Sequence, residues 1–271
     1  MQKQLLAKPT KKLNKMQGEL GLTFEKKGAL TRLTKSHHSS PLKASKALYL
    51  DETGSATVYL METSGGMVEG DVNKYRITIG NDSHVSLIPQ SSTKIYPSRL
   101  DLPCRQSVDL MVGENASVRW LPETTIPFED SIFLADTKID LEPNSSLIFS
   151  EIFSSGRQKS AESFAFDRFS SKTQILIEGK LIAFDHLNLV QKESPYFHIG
   201  MFEDCTYMGT IWYVDPAAAN QNFETFLTDF HQAKNHRFGF SRLDHYGVHF
   251  RWLSNDLCLL KEQMNELIQN L

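Results

Sequence analysis

A short turn-like string recurs three times in the middle of the chain. Ile79-Gly80-Asn81-Asp82-Ser83-His84-Val85 is echoed by Val112-Gly113-Glu114-Asn115-Ala116-Ser117-Val118 and by Leu141-Glu142-Pro143-Asn144-Ser145-Ser146-Leu147, at spacings of 33 and 29 residues. Two copies run on into similar tails, Ile88-Pro89-Gln90 and Leu121-Pro122-Glu123. Each copy reads as strand, tight polar turn, strand. Repeats of roughly 20–50 residues mark units that bury a core only against their neighbours. A spacing near 30 is long for a simple hairpin ladder. The repeat therefore predicts a mainly β, β-helix-like body of stacked coils, and a β-sandwich whose hairpins share turn chemistry is the alternative.

Alternation supports strands on both sides of the repeat. Leu20, Leu22 and Phe24 alternate with polar or small residues, as do Tyr75, Ile77 and Ile79, and Val108, Leu110 and Val112. Such period-two runs bounded by Gly, Asn, Asp, Ser and Pro are half-buried strands. Helical spacing appears only late. Phe223, Phe226, Leu227 and Phe230 follow Asn220 as a candidate cap, and Leu257, Leu260, Met264, Leu267 and Leu271 follow Asn255 and Asp256. Two α-helices are predicted near the C-terminus.

Composition sets the class. With 271 residues, 40% hydrophobic and 23% charged, the chain has enough apolar content for a core and is not globally disordered. No run approaches the ~18 apolar residues of a membrane span. Three scattered cysteines, Cys104, Cys205 and Cys258, argue against a disulfide framework or a cysteine-rich zinc site and fit a reducing cytoplasm. Met1 to Gln17 carries five Lys and no apolar stretch, so it is not a secretory signal. We expect a basic N-terminal tail over 1–17 and a single β-rich domain over 18–271. The charge is unevenly spread: residues 1–47 hold eleven basic against two acidic side chains, a local +9, while the other 224 residues hold 18 basic and 30 acidic, −12. Phe24 is the arm's one aromatic, so base stacking has little to work with. The arm reads as a tail or a partner-facing segment, with nucleic-acid binding the competing reading.

Candidate chemistry is sparse. Ser91 and Lys94 have the Ser-x-x-Lys spacing of a serine nucleophile and its activator. That motif needs a helix, and here it lies between strand-like segments; a serine-dependent hydrolase using these two residues is the alternative function. Gly65, Gly66 and Gly70 form a glycine-rich loop without the Lys-Ser/Thr of a phosphate loop, so their use is backbone geometry. Asp71, if drawn inward by that loop, becomes a buried carboxylate in need of a partner. His245 and His249 would share a strand face but lack a third ligand nearby, and His37-His38 reads as an exposed loop pair. Glu151, Arg157 and Glu162 surround Gly156 among Phe153, Phe164 and Phe166. That mixture suggests an ion-paired interior or polar channel, or else a surface turn.

Taken in order, these segments resemble the urease accessory protein UreD (UreH) family. Its Gly-Gly-x-x-x-Gly-Asp loop is matched by Gly65 to Asp71, and its Gln-Ser-x-Thr-Lys-x-Tyr stretch by Gln90, Ser91, Thr93, Lys94 and Tyr96. A Leu-Pro-x-x-x-Ile-Pro-Phe segment is matched by Leu121, Pro122, Ile126, Pro127 and Phe128. Glu151, Gly156, Arg157, Glu162 and Phe164 match a Glu…Gly-Arg…Gly-Glu-x-Phe segment. Gly18 to Phe24, Thr31-Arg32-Leu33 and Pro41-Leu42 are similar to the family's first strands, and Tyr246 to Leu253 to its last. Departures are Ala161, where the family has Gly, and Pro97, where Arg is common.

The resemblance implies a β-helix-like fold with a pair of helices and a non-catalytic chaperone or scaffold role in urease maturation. It implies apo-urease, UreF and, through the UreF-containing complex, the GTPase UreG as partners, with the C-terminal helices as the natural UreF contact. No nucleic-acid or membrane partner and no permanently bound cofactor are expected. Nickel would pass through in transit, without a stable metal site. On this reading Asp71, Thr93, Glu151 and Glu162 line or gate an internal polar passage, Arg157 orients them, and Gly65, Gly66, Gly70 and Gly156 shape the loops.

Overall fold

The computed structural model describes residues 15–160, 162–191, 196, 198, 200–230 and 235–271. The chain opens with the hairpin β1 (Gln17–Lys27) and β2 (Leu30–His38), followed by β3 (Leu42–Ala44) and β4 (Ala56–Glu62). Repeating units follow: β5 (Val72–Ile79), β6 (His84–Pro89) and β7 (Thr93–Ile95), then β8 (Cys104–Val112), β9 (Ser117–Trp120) and β10 (Thr124–Pro127), then β11 (Ile132–Leu141) and β12 (Ser146–Ser154). A second hairpin, β13 (Arg168–Ile177) and β14 (Lys180–Val190), leads to β15 (Tyr207–Val214) and α1 (Glu224–Phe230). The last elements are β16 (His236–Arg242), β17 (Gly247–Ser254) and α2 (Leu257–Asn270).

The coils stack as a solenoid of about four turns, in agreement with the repeat. One wall is a seven-stranded sheet ordered β14-β13-β11-β8-β5-β1-β2, parallel from β13 through β1 and closed by an antiparallel strand at each end. The other wall follows β16-β17-β15-β12-β9-β6-β4-β3, with β7 and β10 attached beside β12. The three repeated strings are the same corner of successive coils. Their fourth residues, Asp82, Asn115 and Asn144, all take left-handed φ, of 57°, 54° and 57°. Asn and Asp tolerate that conformation better than other side chains. Corners are bonded to one another: Gly113 N–H donates to the Ile79 carbonyl at 2.8 Å and Glu142 N–H to that of Val112 at 2.9 Å. The repeat is thus the sequence image of a turn ladder.

Because inward positions stack in register, side chains of successive coils pile up level by level. Leu22, Ile77, Leu110, Ile139 and Ile175 line up across the seven-stranded sheet and meet Val58, Leu87, Val118 and Phe149 from the other. A second inter-sheet cluster gathers Met67, Ile95, Phe133, Phe153, Phe164, Phe166 and Phe169. The helices cover the outer face of the second sheet, where Leu260, Met264 and Leu267 of α2 pack on the cluster containing Phe250 and Trp252.

The residue that caps α1 is Asn222, which accepts the Glu224 N–H at 2.9 Å, not Asn220. Asp256 caps α2 by accepting from Cys258 and Leu259 N–H. His37 and His38 end strand β2 rather than a loop, both exposed. His245 lies in the turn before β17 beside Asp244, so it does not share a strand face with His249. Most of the expected tail, residues 1–14, lies outside the described residues, and β1 already includes Gln17. Among the described residues no helix is long and apolar enough to cross a membrane.

Candidate functional site

Between the two apolar clusters the strands place polar side chains at the same levels, and they form a transverse seam. From the seven-stranded sheet come Tyr75, Thr137, Thr173 and Asp185, aligned by register, and one level further Gln106 and Ser171. Facing them are Glu62 of β4, Thr93 of β7, Thr125 of β10 and Glu151 of β12, with Glu123 just before β10. Two cavities lie along the seam. One, of about 40 Å³, is bordered by Glu151, Thr173, Asp185, Thr210 and Trp212. The other, of about 60 Å³, is bordered by Glu62, Ser91, Thr93, Glu123 and Glu151. Gln106, Thr125 and Glu151 line both, so the cavities meet at Glu151. Spaces of this size with several polar walls suit a few water molecules.

The carboxylates along the seam differ in electrostatic setting. Burial, reinforced by the charge of Asp185, pushes Glu151 up to about 7. Glu62 is also raised, chiefly by burial, although Ser64 Oγ donates to it at 2.6 Å. For Glu123 burial acts in the same direction but is outweighed: Lys261 Nζ at 2.9 Å, Thr124 N–H at 2.7 Å and Ser92 Oγ at 2.9 Å all donate to Oε1, and the group ends below the usual range. Asp185 accepts from Arg251 at 2.7 Å. His249 stacks flat on Trp212 at 3.7 Å, and burial together with Arg251 holds it neutral, near 3. Thiols take no part: burial raises Cys104 to about 12 and Cys205 to about 11, away from the thiolate form that binds metals. Among the described residues no three His, Cys, Asp or Glu side chains converge as a metal-holding group.

Of the residues singled out from sequence, the structure brings Thr93 and Glu151, with Ser91 at the rim, to the seam, and the cavity linings do not include Asp71, Arg157 or Glu162. Asp71 is 2% exposed and spends both oxygens on backbone, accepting Met16 N–H at 2.8 Å and Val68 N–H at 3.0 Å. Arg157 grips Glu162 with two guanidinium nitrogens, Nε at 2.8 Å, and its plane covers the Phe128 ring at 4.4 Å. That grip holds Glu162 below the usual carboxylate range. Ser91 and Lys94 are both exposed, and Lys94 lies in β7, so no helical face unites them as nucleophile and activator.

The glycines divide by need. A Cβ on Gly65 would meet only the Tyr96 hydroxyl, at an ordinary 3.8 Å, and Gly70 turns the chain with φ +81°. Gly66 has φ +137° and a Cβ there would stand 2.6 Å from the Lys94 carbonyl; Gly156 has φ +146° and its Cβ would stand 2.7 Å from the Glu162 carbonyl. Gly66→Ala and Gly156→Ala should each lower stability by upward of about 2 kcal/mol, measured as a fall in urea midpoint. Gly65→Ala should leave it nearly unchanged. Equal midpoints for all three variants would contradict this.

Sequence reasoning missed Glu62, Gln106, Thr125, Thr173, Asp185, Thr210 and Arg251. The available signal was a polar residue at an inward position of an alternating strand, such as Asp185 between Ala183 and Leu187. It becomes readable once successive coils are aligned.

Residues 16–271 match the family model described as UreD urease accessory protein. The chain is 35% identical over 254 residues to the urease accessory protein UreD of Lysinibacillus sphaericus (strain C3-41), covering 94% of this chain and 95% of that one. It is 34% identical over 256 residues to the protein of that name from Halalkalibacterium halodurans, covering 94% and 93%. With that from Sporosarcina pasteurii it shares 33% identity over 248 residues, covering 91% and 96%.

Proposed function

The chain belongs to the UreD family of urease accessory proteins, which gives it a role in urease maturation, and we propose that it acts there as a non-catalytic scaffold with an internal polar passage for nickel. It binds apo-urease and works with UreF and the GTPase UreG in the cytoplasm. Nickel is cargo, carried along the seam toward the urease active site.

The observation that carries this reading is the meeting at Glu151 of two cavities with carboxylate, hydroxyl and amide groups in their walls, flanked by hydrophobic clusters. A polar layer between two hydrophobic clusters costs stability unless its groups have partners, which points to a function. The donor set suits transit. Ni²⁺ stands high in the Irving–Williams order and would be held too long by thiolate or imidazole cages. Carboxylate, hydroxyl and amide oxygens bind it more weakly while offsetting lost hydration. Thr93, Gln106, Thr125 and Glu151 would replace part of the ion's water shell. Asp71 serves as a tie for the loop at 65–71, and the Arg157–Glu162 pair fixes the turn that ends β12.

The test separates assembly from delivery. Glu151→Gln and Thr93→Val are introduced into the full chain, and capture of apo-urease, UreF and UreG is measured beside urease activation. Glu151→Gln should keep capture intact and lower activation at least about tenfold, with Thr93→Val less severe. Full activation by both variants, at native protein levels, would overturn the passage.

A further inference from the structure

At the edge of the seam formed by β14 and β17 a cation is tethered. Glu151, Thr210 and Arg251 stand side by side across β12, β15 and β17 by strand register, all on the inward face. Arg251 reaches over to the opposite sheet and donates to Asp185 Oδ2 at 2.7 Å. Asp185 is the inward carboxylate of edge strand β14, and it borders the same cavity as Glu151. The guanidinium Nε is buried without a hydrogen-bond partner among the described residues, so the side chain is held by its charge contact rather than by a full set of bonds. Two residues earlier on the strand, the stacked ring of His249 closes the neighbouring inward position. The ion-pair side chains keep 39% and 31% exposure, which leaves the guanidinium a path outward into solvent.

Two carboxylates and the hydroxyls of Thr125, Thr173 and Thr210 border this cavity, a set of hard oxygens of the type that divalent cations accept. Arg251 supplies positive charge where such an ion would sit. Resting on the passage reading above, we propose that Arg251 is a built-in plug: its guanidinium stands in at Asp185 for the divalent cation, so that the ion is admitted at this edge only when the Arg251–Asp185 pair opens. A planar, permanently charged group suits this task because no change of pH neutralises it. A partner presenting a carboxylate beside β14 and β17 would draw it out.

The experiment uses the purified full chain and NiCl₂ in equilibrium dialysis. Arg251→Gln and Arg251→Met remove the charge, and Met keeps much of the apolar stem. Both should retain nickel at least about tenfold more tightly than the native chain, because a repelling charge is lost beside Asp185. Adding Asp185→Asn to Arg251→Gln should return retention to the native level, and Arg251→Lys should stay near it. Folded Arg251→Gln and Arg251→Met proteins that bind no more nickel than native would overturn the plug. So would gained binding that survives Asp185→Asn, which would place the ion elsewhere, and so would unfolding of both variants, which would make the pair a structural tie. The outcome is separable from the passage test. Normal activation by both Glu151→Gln and Thr93→Val would remove the passage and leave a nickel gain in Arg251→Gln standing, whereas no gain beside a blocked Glu151→Gln would remove the plug alone.

Discussion

Glu151→Gln should make the protein more stable at pH 8 and change it little at pH 5. The folded state holds this carboxyl near pH 7 against an ordinary value of 4.5, because burial and Asp185 disfavour its charge. A raised carboxyl pKa means that the folded chain binds its proton more tightly than the unfolded chain does. Its contribution to stability is fully present below about 4.5 and is lost as pH rises toward and through 7. From pH 5 to pH 8 the loss amounts to about 2–3 kcal/mol at 1.36 kcal/mol per unit. Glutamine has no proton to lose, so the variant escapes it. For a chain of this size the thermal midpoint of Glu151→Gln should exceed the native one by roughly 4–6 °C at pH 8. The gap should shrink to a small remainder at pH 5. A gap of equal size at both pH values would mean that glutamine merely packs better, and a less stable variant at pH 8 would show the carboxylate to be well solvated. Stability and activation are expected to move in opposite directions, as they do where an active group is kept at a cost to the fold.

The same contrast explains what could be read from sequence. The corners announced themselves because Asp82, Asn115 and Asn144 answer a local demand, a left-handed residue that stacks on its copy. Strands such as 20–24 and 108–112 were legible from alternation alone, and α2 from its stripe and its Asp256 cap. The seam is a property of register between coils. Asp185 and Arg251 are 66 residues apart, and nothing near either one in the chain predicts that they meet. Glu151 stood out as a charge among aromatics, but a lone Glu inside Phe149-Ser150-Glu151-Ile152-Phe153 is as compatible with a surface turn as with a channel, and the resemblance decided between them. Arg157 and Glu162 illustrate the converse: the spacing brought two charges together, and the turn it built lies beside the seam rather than in it.

Asp71→Ala should cost about 2–4 kcal/mol, because both backbone N–H groups that the carboxylate now satisfies would lose a charged acceptor in a nearly closed site. The damage should be local in its first stage. Met16 N–H is bonded to Asp71, and the Met16 carbonyl in turn accepts Val72 N–H at 2.9 Å, at the point where β1 first pairs with β5. Losing the carboxylate therefore unfastens the start of β1 and the 65–71 loop together. Hydrogen exchange at Met16, Val68 and Val72 should speed up well before that of Ile77 or Leu110, whose levels are held by the apolar cluster. Asp71→Asn keeps one carbonyl acceptor and should fall between alanine and native. Urease activation by Asp71→Ala should then drop only in proportion to the folded protein that remains, and recover at lower temperature. An Asp71→Ala protein that melts and exchanges like the native chain, yet fails to activate urease, would transfer Asp71 from the scaffold to the nickel path. In that event the carboxylate leaves its backbone donors when the ion arrives, and the path extends beyond the two cavities that meet at Glu151.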